Sequence, residues 1–164
     1  MFFGLGSTKI SFGNEYDALH LQQLIETPNN ELIVVISFNK SVKTSLDSIK
    51  HIENDSIREV LLGASQMLPD ESQTYNIYFE NHLMYQSRNE SYAYNSDDDI
   101  SIGKGLILFE KSKLLNYVNE LIHIDSAIHM HNKSELRHYG IYTLNNIIDV
   151  VTFYEPVIRK AKHA

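Results

Sequence analysis

Residues 75–94, Tyr-Asn-Ile-Tyr-Phe-Glu-Asn-His-Leu-Met-Tyr-Gln-Ser-Arg-Asn-Glu-Ser-Tyr-Ala-Tyr, constrain the fold more than any other stretch. Tyr75, Ile77 and Phe79 alternate with Asn76, Tyr78 and Glu80, the period-two pattern of a strand with two unlike faces. Glu80-Asn81-His82 predicts a turn, after which Leu83, Tyr85 and Ser87 alternate with Met84, Gln86 and Arg88. Arg88-Asn89-Glu90 predicts a second turn into Ser91-Tyr92-Ala93-Tyr94. The expectation is a three-stranded antiparallel meander. Aromatic side chains suit such a surface because they pack across neighbouring strands.

Around that stretch the chain alternates strand and helix patterns. Thr8 to Phe12 predicts a short edge strand. Residues 16–26 fit strand alternation and a helical face about equally, and the turn cluster Thr27-Pro28-Asn29-Asn30 tips the reading to strand. Leu32-Ile33-Val34-Val35-Ile36 is short, β-branched and apolar throughout, as a central strand covered on both faces would be. Val42, Leu46 and Ile49 then recur at helical spacing behind Ser41 as a candidate cap. Ile57, Val60, Leu61, Ala64 and Leu68 predict a helix over 56–68, with a capping box at Ser56-Ile57-Arg58-Glu59 and a stop at Pro69. Residues 95–105 read as a polar surface loop and 106–109 as a short buried strand. Leu114, Leu115, Val118, Leu121 and Ile122 predict a helix over 112–123 capped by Ser112. Residues 125–134 are irregular. Leu136–Leu144 and Ile147–Phe153 form a second hairpin across Asn145-Asn146, with Asp149 an acidic interruption in an apolar run; Pro156 ends it, and Arg159-Lys-Ala-Lys-His163 reads as a frayed basic tail. The fold class is α+β: one central, largely antiparallel sheet with its flanking helices packed on it, in a single domain over 1–164.

Composition narrows the function classes. With 43% hydrophobic and 21% charged residues the chain is an ordinary globular one. No apolar run reaches the roughly 20 residues of a membrane span. No basic region or cleavage site marks a signal peptide, and the absence of cysteine excludes disulfides and thiolate chemistry. A cytoplasmic protein is expected, and the sequons at Asn39, Asn54, Asn89 and Asn132 read as chance. The net charge of −7 disfavours polyanions and suits a basic partner. For the same reason the ten tyrosines and seven phenylalanines read as packing rather than as a nucleic-acid stacking platform.

Several clusters invite chemistry. His123, His129, His131 and His138 gather late, but without cysteine or an HExxH pattern, and no metal is expected. Asp97-Asp98-Asp99 lacks the alternating ligands, glycine turn and distal Glu of a calcium loop. Arg88, Asn89, Glu90 and Ser91 read as a hydrogen-bonded corner, with a general-acid arrangement as the alternative. There is no phosphate loop, no nucleophile elbow and no carboxylate pair set as acid and base. Neither enzymatic activity nor a cofactor is expected.

Tyr75-Asn-Ile-Tyr-Phe-Glu80, Tyr85-Gln-Ser-Arg-Asn-Glu-Ser-Tyr92, His138-Tyr-Gly-Ile-Tyr142 and Ile147-Ile-Asp-Val-Val151 resemble a family of small bacterial proteins over about residues 16–158. Some of its members look like immunity proteins of contact-dependent growth inhibition systems, which neutralise a toxic nuclease domain. The resemblance implies a cytoplasmic antitoxin without activity of its own, bound to a basic cognate toxin domain. It also implies a sheet with flanking helices similar in shape to Whirly-type single-stranded-DNA binders, which keeps a nucleic-acid-binding module as the second reading. An enzyme acting on a small molecule is the third. On the first reading the toxin-binding residues are Asp97, Asp98 and Asp99 for electrostatic steering, with Tyr85 and Tyr92 as aromatic anchors.

Overall fold

The computed structural model describes residues 18–94, 96–133 and 135–161. The class is α+β, with two antiparallel sheets and four short helices among the described residues. The strand expected over Thr8–Phe12 lies outside the described residues.

The first sheet begins with β1 (Leu19–Glu26), a strand as the turn cluster behind it implied. Its central partner β2 (Glu31–Lys43) alternates in burial from Glu31 to Ile36, with Leu32, Val34 and Ile36 fully buried and Ile33 and Val35 half-buried, so one face is covered more fully than the other. β2 also runs past the apolar run that marked it, through Val42, where a helix is expected. The helix that follows, α1 (Leu46–Ile49), is one turn long and capped by Ser45 rather than Ser41.

The next helix is the largest departure from expectation. α2 (Asp55–Leu62) is capped by Asn54, whose Oδ1 accepts from the Ile57 amide, and it ends at Gly63 instead of running to Leu68. Residues beyond Gly63 enter β3 (Ser65–Glu80), whose first five residues pair with Asn39–Lys43 as a two-stranded ribbon. Pro69 therefore sits inside a strand. It is tolerated because it faces Asn39, where the register between β2 and β3 slips, and a bulge needs no amide there. The stripe expected to cover the sheet does not do so: Ile57 is 51% and Val60 74% exposed, and no residue of α2 is buried. α1 and α2 join the two strands of the β2–β3 ribbon, and α2 packs against α1, with Leu61 only half-buried.

The expected meander is split between the sheets. β3 ends at Glu80, Asn81 takes the left-handed conformation, and β4 (Met84–Asn89) begins the second sheet. No third strand follows, since the Asn89 side chain accepts from the Ser91 amide and winds Glu90–Tyr92 into a 3₁₀ turn. Within 95–105, expected as loop throughout, Ile100–Lys104 is a strand, β5, paired with β6 (Leu106–Lys111). α3 (Lys113–Leu121) is capped by Ser112 as expected. The stretch read as irregular is α4 (Ile124–His131). The second hairpin forms as β7 (Arg137–Tyr142) and β8 (Asn146–Thr152); of the expected frayed tail, Arg159 and Lys160 instead end a strand, β9 (Val157–Lys160), paired with β3, and 162–163 lie outside the described residues.

The strand orders are β1-β2-β3-β9 and β4-β8-β7-β6-β5. The sheets meet through one hydrophobic cluster, with Leu19, Leu32, Val34, Ile36, Ile77 and Phe79 on one side and Leu106, Tyr139, Ile141, Ile148 and Val150 on the other. Phe79 and Tyr139 touch across it at 5.8 Å between ring centres. Period two along the second sheet then sends Gln86, Arg88, His138 and Asp149 to the opposite face, the one on which α3 lies. Among the described residues no helix is long and apolar enough to cross a membrane.

Candidate functional site

That outer face holds the polar centre of the molecule. Asp149, on the second-sheet strand β8, is fully buried and flanked by β4 and β7. Its Oδ2 accepts from Gln86 Nε2 at 2.9 Å and from Arg88 Nε at 2.7 Å. Its Oδ1 accepts from Arg88 Nη2 at 3.3 Å and from His138 Nε2 at 3.1 Å. Burial pushes this carboxyl up, but the bonds from His138, Arg88 and Gln86 outweigh it and hold the group below the ordinary carboxylate value. Arg88 responds in the opposite sense: burial pulls its guanidinium down, and the bonds and charge of Asp149 more than restore it.

The chain of bonds continues to the helix. His138 Nδ1 lies 2.9 Å from Ser112 Oγ, and Ser112 Oγ accepts from the Leu115 amide at the start of α3. An ionised carboxylate only accepts, so in the neutral imidazole the proton sits on Nε2 and the Ser112 hydroxyl donates to Nδ1. Every polar atom in the line has its partner. Phe109 stacks on the His138 ring at 4.2 Å and 10°, and that stack needs Gly140: a Cβ there would meet Phe109 Cε2 at 2.9 Å.

Serine, histidine and aspartate thus lie in series, the order of residues in a nucleophile relay. The arrangement differs in its chemistry. Ser112 is 3% exposed and already caps a helix, and Arg88 neutralises the aspartate directly. The line fixes α3 against the sheet.

Above this floor is a cleft of about 280 Å³, walled by Tyr94, Ser96, Asp99, Lys113, Leu114 and Tyr117. Asp99 closes one side, accepting from the Ser96 amide with Oδ2 and from the Lys113 amide with Oδ1. Asp97 and Asp98 stand exposed on the adjoining turn, and Tyr92 is 87% exposed beside it. No family model, curated protein or solved structure matches the chain.

The five residues singled out for toxin binding therefore fall into two places. Asp99 lines the cleft, and Tyr92, Asp97 and Asp98 are exposed in the same stretch of chain, which also supplies Tyr94 and Ser96 to the cleft wall. Tyr85 faces the other way, against the inter-sheet cluster, where its hydroxyl bonds to Glu26 and its ring meets His82 edge-on at 5.4 Å. The four late histidines do not converge: His131 bonds to the Tyr154 hydroxyl from α4, and His138 turns to Asp149. Among the described residues no three His, Asp or Glu side chains are grouped to hold a metal ion. Arg88 pairs with Asp149, not with Glu90 in the expected corner.

Proposed function

We propose that this chain is an antitoxin that binds and neutralises a basic toxin domain, as immunity proteins of contact-dependent growth inhibition systems do, and that it acts in the cytoplasm. The observation that carries the proposal is a run of exposed aromatic and apolar side chains set among acids. Tyr92 and Tyr94 are 87% and 74% exposed, Asp97 and Asp98 follow, and Ile100 and Ile102 are about half exposed on β5. Large apolar side chains left together on a surface mark an interaction site, and tyrosines ringed by charge are common interface anchors. β5 ends its sheet, so its outer edge also offers backbone groups for strand addition by a partner. Tyr94 replaces Tyr85 as the second anchor in this proposal, because Tyr85 belongs to the inter-sheet side.

Charge and anchors predict different kinetics. Asp97→Asn with Asp98→Asn slows association and flattens its salt dependence, while Tyr92→Ala with Tyr94→Ala mainly speeds dissociation, costing about 2 kcal/mol or more. Surface-based kinetics against the product of the neighbouring gene, at two salt concentrations, measure both. Association that ignores salt and the double Asn change would remove the acidic turn from the interface. Absence of binding, together with affinity for single-stranded DNA, would favour the nucleic-acid reading.

A further inference from the structure

We infer that the cleft over Asp149 is a binding site for a small organic anion, whose carboxylate or phosphate group is held by Arg88 and Lys113 and whose body lies against Tyr94 and Tyr117. The inference goes beyond toxin binding and does not depend on it.

Three observations carry it. The first is that the polar floor is not needed to close the sheet. Its neighbours on the same face of β8, Ile147 and Val151, are buried and apolar, and replacing a buried ion pair with well-packed apolar side chains is often neutral or stabilising. A buried network kept under an open cleft points to a use for it.

The second is the count of donors and acceptors. Asp149 accepts four hydrogen bonds, about as many as a carboxylate has lone-pair sites, and Asp99 accepts two amides. Asp149 is therefore saturated, and each oxygen of Asp99 is turned to a backbone amide. Arg88 gives Nε and one Nη2 proton to Asp149 and a further bond to Tyr142, out of the guanidinium's five N–H groups. The exposed Lys113 ammonium has no acidic partner among the described residues. Arg88 and Lys113 are the cations of the cleft and keep N–H donors to spare, and the complementary ligand group for that pair is an anion. Arg88 is held side-on by Asp149, so its remaining edge is oriented before any ligand arrives, which reduces the ordering cost of binding.

The third is shape. About 280 Å³ lies at the small end of ligand pockets, and the walls supplied by Tyr94, Leu114 and Tyr117 are flat or apolar. Such a space takes a single ring or a short chain bearing one acidic group.

Titration of the isolated protein with phenyl phosphate, benzoate, inorganic phosphate and benzylamine, followed by amide chemical shifts and calorimetry, tests the assignment. Phenyl phosphate and benzoate are expected to bind saturably, shifting the amides of Arg88, Tyr94, Lys113 and Tyr117. Benzylamine, with the opposite charge on a similar ring, does not bind. Lys113→Met weakens both aromatic anions about threefold or more, and Arg88→Lys, which keeps a cation for Asp149 but loses the fork, weakens them about tenfold. Tyr117→Ala weakens phenyl phosphate and leaves inorganic phosphate unchanged. Lys113 and Tyr117 are exposed, so their variants decide the matter even if Arg88→Lys fails to fold. Failure of both aromatic anions to saturate, equal binding of benzylamine, or affinity unchanged in both Lys113→Met and Tyr117→Ala would overturn it.

Discussion

At the scale of single residues, Asp149 decides the most. Removing one partner of a buried, hydrogen-bonded pair leaves the other charge uncompensated, and Asp149→Asn should cost about 3–5 kcal/mol near neutral pH. The pH dependence follows from the lowered carboxyl. A group whose folded value lies below its unfolded value stabilises fully above the unfolded value, about 3.9 for aspartate, and loses that contribution as pH falls through the folded one. Urea denaturation should therefore show a constant gap between wild type and Asp149→Asn down to about pH 5, narrowing below about pH 4. A gap that stays constant to lower pH would mean that the lost stability comes from packing and not from the charge. The sequence marks this position, since an acid interrupting an apolar strand must find partners or remain costly. It does not say which partners. Arg88 and Gln86 are 61 and 63 positions away, and no local pattern links them to Asp149. Glu90, two positions from Arg88, was the nearer choice and the wrong one.

Elements were legible where burial followed a single period. β2 and the β7–β8 hairpin were legible as strands and α3 as a helix with its Ser112 cap, although β2 buries one face fully where its apolar run implied two, and only Val118 of the α3 stripe is buried. α2 was misjudged in length and in packing for one reason. Ala64 and Leu68 continue its stripe, but Ser65–Pro69 pair with Asn39–Lys43, and strand pairing across a distance overrides a helical period near Gly63. An apolar stripe, moreover, does not reveal whether anything lies opposite it. The consequence for stability is direct. Val60→Ser, on the exposed side of α2, should change the free energy of unfolding by less than about 0.5 kcal/mol. Ile148→Ala, in the fully buried inter-sheet cluster, should cost about 2–5 kcal/mol. Chemical denaturation of the two variants compares them, and a large loss from Val60→Ser would show that α2 is covered in solution.

For the whole molecule, stability is concentrated in the space between the sheets and thins toward the ribbon that bears α1 and α2. Amide exchange should be slowest in the central strands β2, β3, β7 and β8 near the shared cluster, and faster by orders of magnitude in 39–43, 65–69 and α2. Equal protection of the ribbon and the central strands would contradict this gradient. The sequence did not reveal the division into two sheets, because a turn of the same composition can join strands of one sheet or carry the chain to another. The crossing after Glu80 had no signature beyond Asn81.

The pairing of β9 with β3 has a consequence for how the protein is made. Tyr75–Tyr78 leaves the ribosome early, yet its outer partner, Val157–Lys160, is translated only after all five strands of the second sheet. Throughout that interval β3 is paired with β2 on one side only, and its outer edge along Tyr75–Tyr78 is a template for pairing with a neighbouring chain on the same polysome. Translation that stalls between Thr152 and Val157 would leave every strand but β9 made and that seam open, so truncated products should be found with chaperones or in aggregates.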